Sequence, residues 1–597
     1  MAKDARTGAP WKAEPVQGPV DEQMAWGSDV PARMLRRLDI PFIALTPGAS
    51  YRGFHDSLVN HLGNESPEMI LCLHEEHAVA VAHGYAKVTG RPLAVALHSN
   101  VGLLHGSMAI FNAWADRAPM LILGATGPVD AVERRPWIDW LHTTQDQGAL
   151  IRNFTKWDDQ PGSAEAAASS MMRAWKITST RPHAPVYVNL DASWQEAPLT
   201  TEIVLPDPNR HAPPAPTRPD PDRLMQAAEA ILQAKRPVVL FGRGARTEAA
   251  MATRVALAER VGALMLSDLK AGAMVPSDHP SHAGQPFNKL SSEAREVLAQ
   301  ADVILSLGWI DLGGLLRQAY GADSAKPLVI HAGEESHLHR GWGQEHYDLA
   351  AIDIEFLADP DTTAADFLFL LPDADRPAPA VPAHPREVTA PDDTLTQRDI
   401  ARALRHAVGE TPVTFPALSR GWPVDLWPHR HPLDYLGKDG GGGIGSGPGL
   451  AVGAALALRN SDRLVIATLG DGDTLMGINA FWTAAKYRLP LLTIVANNRS
   501  YFNDELHQES VARRRGRAEA NAWVGQRLDD PAPDIAGLAR AQGLGGVGPV
   551  RTLEELEAAV SEGVKAVRNG QPFLIDVWIE ARAGREQAVK RNTKGAA

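Results

Sequence analysis

The hydrophobic positions of this chain alternate between two patterns. Short, mainly apolar runs occur at Ile70 to Leu73, Leu93 to Leu97, Met120 to Leu123, Val186 to Leu190, Pro237 to Phe241, Val303 to Leu307, Pro327 to Ile330, Arg463 to Leu469, Leu491 to Ala496 and Pro572 to Trp578, with longer helical stretches between them. A run that is nearly all apolar suits a strand buried on both faces, and alternation with helices predicts parallel α/β sheets. Two proline-rich stretches, Pro206 to Pro221 and Pro372 to Pro391, interrupt the pattern. Proline at that density blocks helix and central strand alike, so both read as linkers. They divide the chain into 1-205, 222-371 and 392-597, each expected to be an α/β domain with a mainly parallel sheet flanked by helices. A length of 597 residues fits three domains better than one.

Composition narrows the picture. Apolar residues at 44% and charged residues at 22% belong to a globular chain and exclude a disordered one. The net charge of -12 argues against a nucleic-acid partner, which would call for a basic face. Cys72 is the single cysteine, so no internal disulfide or thiolate metal cluster forms, and a reducing, cytoplasmic setting is expected. The N-terminus lacks the apolar core of a signal peptide, and no run approaches the roughly 18 apolar residues of a membrane span. No membrane partner is expected.

The strongest chemistry lies in the third piece. The run Arg463 to Leu469 ends in Gly470-Asp471-Gly472-Asp473, and Leu491 to Ala496 ends in Asn497-Asn498-Arg499-Ser500. Residues just beyond the carboxyl ends of neighbouring parallel strands face one crevice, so Asp471 and Asn498 can meet. A carboxylate and an amide oxygen are hard ligands of the kind Mg²⁺ prefers, completed by phosphate oxygens and water. Gly470 and Gly472 let the backbone approach phosphates, and a helix expected to begin near Gly477 would offer free N–H groups, with Ile478, Phe481, Trp482 and Ala485 packing on the sheet. Asn498 follows Asp471 by 27 residues, across a strand-helix-strand unit. This GDG–spacer–NN pattern resembles the signature of thiamine diphosphate enzymes. The resemblance implies thiamine diphosphate and Mg²⁺ as cofactors, with the metal on Asp471, Asn498 and the Ser500 carbonyl, and Gly470, Gly472, Asp473 and Tyr501 beside the diphosphate. Asp473 departs from a frequent serine, and a carboxylate there must turn away from phosphate.

The first piece carries a second element of the same family. The run Ile70 to Leu73 leads into His74-Glu75-Glu76-His77 and then AVAVAHGYAKVTGRP, in which Ala78, Val81, Ala82 and Tyr85 share a helix face. The segment resembles the family's HE-x-x-A…GYA-x-x-TG-x-P and puts the catalytic glutamate on Glu75; without the resemblance Glu75 would read as a helix N-cap. A carboxyl group on the aminopyrimidine nitrogen favours the imino tautomer, which takes the proton from the thiazolium carbon. An apolar pocket is expected around it. The run Asp439-Gly440-Gly441-Gly442-Gly443-Ile444-Gly445 resembles the family's GG-hydrophobe-G element, which implies Ile444 beneath the bent coenzyme and Gly442 and Gly443 contacting it.

The order of the three pieces resembles the decarboxylase and acetolactate-synthase branch of the family. Two segments, ALHSNVGLLHGSMAIFNAWADRAPMLILGA and AFWTAAKYRLPLLTIVANN, resemble benzoylformate decarboxylases. That resemblance implies an acid-base role for His98, 23 residues after Glu75, and a substrate pocket reached by Ser50, Asn503, Asp504 and His507. The last three replace apolar residues of the aryl-substrate enzymes, so the pocket is expected to be more polar. The run Arg513-Arg514-Arg515-Gly516-Arg517 reads as a solvated helix face or as a clamp for coenzyme A phosphates. The implied activity is a carbon-carbon lyase, preferably a 2-oxo acid decarboxylase or carboligase. A 2-hydroxyacyl-CoA lyase and an acetolactate-synthase-like transferase are the alternatives, with a non-catalytic coenzyme-binding protein behind them. The turn Phe241-Gly242-Arg243-Gly244-Ala245-Arg246 could approach a nucleotide but lacks the full dinucleotide fingerprint. The resemblance also implies a homodimer or homotetramer, with the coenzyme between domains of two subunits.

Overall fold

The computed structural model describes residues 14–21, 23–287, 289–321, 327–335, 350–373, 376–381, 394–438 and 440–580. Most of the second proline-rich stretch and Asp439 of the glycine run lie outside these residues. Two compact units are formed, 12–385 with 429–443, and 386–428 with 444–597.

The first unit holds two six-stranded sheets. The strands of the first are β1 (Phe42–Leu45), β2 (Glu68–Leu71), β3 (Leu93–Leu97), β4 (Met120–Thr126), β5 (Trp157–Asp159) and β6 (Pro185–Asp191), in the order β2-β1-β3-β4-β6-β5. The second has β7 (Pro237–Phe241), β8 (Leu264–Ser267), β9 (His282–Gly284), β10 (Val303–Leu307), β11 (Leu328–Gly333) and β12 (Ile354–Leu357), in the order β12-β11-β10-β7-β8-β9. Every ladder is parallel. Strand β10 explains its own composition: Val303, Leu305 and Leu307 enter one hydrophobic cluster, while Ile304 enters a second cluster with Val238, Leu240 and Val329. With a core on each face, four of its five positions are apolar, and the fifth, Ser306, is buried with its hydroxyl 3.0 Å from His331 Nδ1. Two helices of the first sheet matter below: α1 (Glu75–Thr89) and α2 (Ser99–Ala115). The expected face Ala78, Val81 and Ala82 of α1 is buried, but so are Val79 and Ala80, because the helix is enclosed nearly all round.

The second unit holds a five-stranded parallel sheet of β13 (Val413–Thr414), β14 (Leu464–Gly470), β15 (Leu491–Asn497), β16 (Gly545–Val550) and β17 (Phe573–Trp578), in the order β13-β14-β15-β17-β16. Its helices include α3 (Gly447–Leu458), α4 (Asp471–Gly477), α5 (Ala480–Lys486) and α6 (Phe502–Arg514). The helix expected near Gly477 therefore starts at Asp471, directly off the strand. Gly477 ends that helix, and α5 buries Ala480, Phe481, Thr483 and Ala484, leaving Ile478, Trp482 and Ala485 half-buried.

The glycine turn after β7 is closed from within. Asp361 accepts from the Ala245 N–H at 2.6 Å and pairs with Arg254 at 2.7 Å, and an added Cβ at Gly244 would lie 2.3 Å from the Arg254 guanidinium. A carboxylate already holds the amide that a phosphate would need. Among the described residues no helix is long and apolar enough to cross a membrane, and Cys72 is buried.

Candidate active site

The carboxyl ends of β14 and β15 build the first cluster. The register pairs Gly470 with Ala496, so Asp471 and the Asn497-Asn498 pair leave the sheet side by side. The Ser500 N–H then donates to both Asp471 Oδ2 and Asn498 Oδ1, each at 3.0 Å, so these two predicted oxygen ligands share one donor. The other Asp471 oxygen accepts from the Gly472 N–H at 2.9 Å. Arg499 sits at φ 56, in the left-handed region, and makes the sharp turn that lets Ser500 reach back. Asn497 points the other way: its Nδ2 donates to Asp576 Oδ1 on β17 at 2.9 Å, and its Oδ1 accepts from the Arg499 N–H. Of the two asparagines, one fastens the sheet and one faces the crevice.

Electrostatics single out Asp471. It is 4% exposed, burial pushes its carboxyl above the ordinary value of 3.8, and the N–H groups of Gly472 and Ser500 only partly offset that. It has no lysine or arginine partner among the described residues. A buried carboxylate held only by backbone dipoles is an incomplete charge balance, of the kind a divalent cation satisfies. Asp576, missed in the sequence, is pushed up to about 6 by burial.

Asp473 turns away, as its charge requires. Its Oδ1 accepts from the N–H groups of Gly445 (2.6 Å) and Gly447 (3.4 Å), sealing the start of α3. Tyr501 lays its ring on Gly472, where a Cβ would meet it at 2.5 Å. The Ser500 hydroxyl donates to Glu505, a partner the sequence did not reveal. Asn503, Asp504 and His507 occupy the first turns of α6; Asp504 and His507 are exposed and 3.7 Å apart. Arg513 is clamped by Glu509 at 2.8 Å and Glu519 at 2.7 Å, and Arg514, Arg515 and Arg517 beside it are exposed.

The second cluster belongs to the first sheet. Glu75 is the first residue of α1 and is 9% exposed; His74 is the N-cap, accepting the Glu76 N–H on Nδ1 at 3.1 Å. The capping role weighed for Glu75 thus falls to its neighbour, and the carboxyl is free for other use. His98 follows β3 and precedes α2, and Ser99 beyond it is held at φ 41. Its Nδ1 lies 2.9 Å from Ser50 Oγ, and the same hydroxyl accepts from the Ser99 N–H at 3.1 Å. Ser50, expected in the substrate pocket, is positioned here to orient His98. Burial lowers the His98 pKa from 6.5, as does the His142 ring, whose centroid is 4.7 Å away, and Glu75 opposes both.

Glu75 and His98 converge over Gly102. A Cβ added there would lie 3.2 Å from Glu75 Oε1 and 3.4 Å from His98 Cβ. The pocket around Glu75 is not the apolar one expected: His105 Nδ1 is 3.1 Å from Glu75 Oε2, and His74 and His77 flank it. His105 lies seven residues after His98, two turns along one helix face, a spacing present in the sequence. His142 carries no such signal. In the glycine run, Gly442 adopts φ 68, and Gly440, Gly441 and Gly443 press on α2 so closely that a Cβ would meet Ala115, Asn112 or Met108 within 2.4 Å. Ile444 is 47% exposed.

Three parallel sheets, with a buried aspartate and an asparagine sharing one N–H at the strand ends of one and a buried glutamate at those of another, fit a coenzyme-dependent α/β enzyme. Family models agree in chain order: the N-terminal TPP-binding domain of thiamine pyrophosphate enzymes matches residues 25–150, their central domain 224–334 and their C-terminal TPP-binding domain 418–577. The chain belongs to the thiamine pyrophosphate enzymes, a name equivalent to thiamine diphosphate enzymes. Among its relatives, benzoylformate decarboxylase of Pseudomonas aeruginosa is 28% identical over 533 residues, covering 85% of this chain and 91% of its own. The acetolactate synthase isozyme 1 large subunit of Escherichia coli is 25% identical over 482 residues, covering 79% and 81%. The solved structure of the thiamine diphosphate-dependent 4-hydroxybenzoylformate decarboxylase of Rhodococcus jostii superposes with a TM-score of 0.76 at 22% identity, over 93% of this chain and 99% of that one, and shares the fold. The protein is thus a thiamine diphosphate-dependent enzyme of the kind that cleaves or forms a carbon-carbon bond next to a carbonyl.

Proposed function

We propose that the protein is a decarboxylase of a 2-oxo acid more polar than an aryl glyoxylate, working with Mg²⁺ and thiamine diphosphate. The observation that carries the metal assignment is the buried, cation-free Asp471 carboxylate sharing the Ser500 N–H with Asn498. Asp471, Asn498 and the Ser500 carbonyl would ligate Mg²⁺, which holds the coenzyme's diphosphate; the Gly470 and Gly472 backbone approaches it, with Tyr501 packed against Gly472. When bound, the coenzyme supplies a nucleophilic thiazolium carbon and an electron sink for the bond beside a carbonyl. Glu75 would hold a proton against the aminopyrimidine nitrogen, and Gly442, Gly443 and Ile444 would support the rings.

His98 moves the substrate's proton. With its Nδ1–H donated to the Ser50 hydroxyl oxygen, the neutral ring keeps the Nε2 lone pair open to take a proton, and the imidazolium so formed returns it from Nε2. Its lowered pKa keeps the ring neutral near pH 7, so it is ready to accept a proton as well as to return one. Asn503, Asp504 and His507 at the start of α6 favour a polar substrate tail; Asp504 and His507 are exposed and Asn503 is half-buried. We further propose a homodimer as the smallest working assembly, because the residues assigned to the two ends of the coenzyme lie on separate units of the chain. Cytoplasmic residence fits the single, buried thiol.

The test is CO₂ release by the Mg²⁺-reconstituted enzyme across 2-oxo acids with aryl, aliphatic, amide and cationic tails. Polar-tailed acids should exceed benzoylformate by at least about tenfold in kcat/KM. Acetolactate formed from pyruvate as main product, or cleavage of 2-hydroxyacyl-CoA without CO₂ release from any 2-oxo acid, would overturn the assignment.

A further inference from the structure

Glu75 has a carboxyl with two chemically equal oxygens, yet its surroundings treat them differently. Oε2 lies 3.1 Å from His105 Nδ1. Oε1 lies against Gly102, where the missing side chain leaves the oxygen uncovered. Both contacts come from α2, one turn apart: a bare backbone at 102 and an imidazole at 105. The imidazole is itself held, because its ring stacks on His74 with centroids 4.9 Å apart and planes 19° apart. His74 in turn is fixed at the start of α1, its Nδ1 occupied by the Glu76 N–H at 3.1 Å.

These contacts form a chain of orientation: backbone fixes His74, His74 fixes the His105 ring, and His105 engages one oxygen of Glu75. A carboxyl that donates a proton to a fixed acceptor must present its O–H on a single oxygen. A carboxyl free to flip would divide its population between two arrangements, and only one can reach the acceptor.

We propose that His105 is a positioning residue for Glu75: its Nδ1–H occupies Oε2, so that Oε1, uncovered over Gly102, carries the proton offered to the coenzyme. The inference rests on the reading of Glu75 as the residue that serves the aminopyrimidine. In this role His105 acts through Glu75. Its side chain is half exposed, at 53%, so replacing it leaves no core cavity.

The experiment uses the full chain with Mg²⁺ and thiamine diphosphate and no substrate. It reads coenzyme affinity, hydrogen-deuterium exchange at the acidic thiazolium carbon, and crystal structures of the coenzyme-free variants. His105→Leu should slow exchange by about 10- to 100-fold, at the lower end of a positioned proton-transfer effect, while coenzyme affinity stays within about twofold and the Glu75 carboxyl occupies more than one rotamer. His105→Asn, whose amide can place an N–H where Nδ1–H now lies, should recover exchange to within about threefold of the native rate. Native exchange in His105→Leu, or exchange in His105→Asn as slow as in His105→Leu, would overturn the proposal. Glu75→Gln separates the two layers. If it exchanges normally, the parent reading of Glu75 falls and this inference with it; if it is silent while His105→Leu is normal, only the role of His105 falls.

Discussion

The two clusters differ in what they are made of. At the ends of β14 and β15, geometry is set by main chain: one N–H shared by Asp471 and Asn498, a left-handed Arg499 and a register that brings both turns together. Around Glu75 it is set by side chains drawn from Ser50, His74, His98, His105 and His142, each oriented by another. A main-chain cradle tolerates little variation and grips charge, whereas a side-chain cluster can be retuned residue by residue. The first is suited to a constant coenzyme tail and the second to proton transfer and a variable substrate.

The largest effect should separate binding from chemistry. Asp471→Ala is expected to weaken Mg²⁺-dependent coenzyme binding by more than about 100-fold in titration calorimetry, since it removes a charged ligand. Glu75→Gln should bind the coenzyme within a few-fold of native yet lose about 10²- to 10⁴-fold in turnover. If both variants lose affinity equally, the division of labour between the clusters is wrong.

A smaller contrast is expected on acidification of the coenzyme-free protein. Burial lowers His77, His183, His282, His331 and His429, all in the first unit, from 6.5 to about 4. The unfolded chain binds those protons first, so the stability they confer is fully present above pH 6.5 and is lost as pH falls towards 4, at up to about 1.4 kcal/mol per pH unit for each group. In the second unit burial raises Asp471, and raises Asp576 to about 6, which has the opposite sign: their folded forms take up protons more readily than the unfolded chain as pH falls. Hydrogen-exchange protection factors between pH 7 and 5 should therefore fall more in β1–β12 than in β13–β17. Equal losses would show that these groups do not govern the acid response.

The smallest effect concerns Asp473. Asp473→Asn keeps an acceptor for Gly445 and Gly447 but removes its charge, and should cost about 1 kcal/mol in denaturant unfolding. A neutral result would mean the start of α3 holds without an ionised clamp.

The same contrast explains what could be read from sequence. Runs such as Leu93–Leu97, Pro237–Phe241 and Val303–Leu307 match their strands to the residue, because a sheet covered on both faces leaves few polar positions to blur the pattern. Asp471 and Asn498 were legible as a pair because a strand-end site is fixed by local spacing. The start of α4 was not: glycines suggest a loop, yet the helix begins at Asp471 itself. Nor was the setting of Glu75, expected to be apolar. Ser50, His98, His105 and His142 lie on separate segments or turns, and only the folded first sheet brings their rings and hydroxyl together. The partners of Asp473 at Gly445 and Gly447 were not legible, because they depend on how the preceding loop folds.

Helix α1 carries Glu75 at its first residue and, twelve residues later, Lys87, whose Nζ pairs with Asp116 and donates to the carbonyls of Gly437 (3.3 Å) and Lys438 (3.4 Å). The helix is therefore a ruler about 18 Å long with both ends nailed down. One inserted or deleted residue would swing one end by about 100° relative to the other, so natural length variation should be excluded from this stretch even where its individual side chains are free to drift.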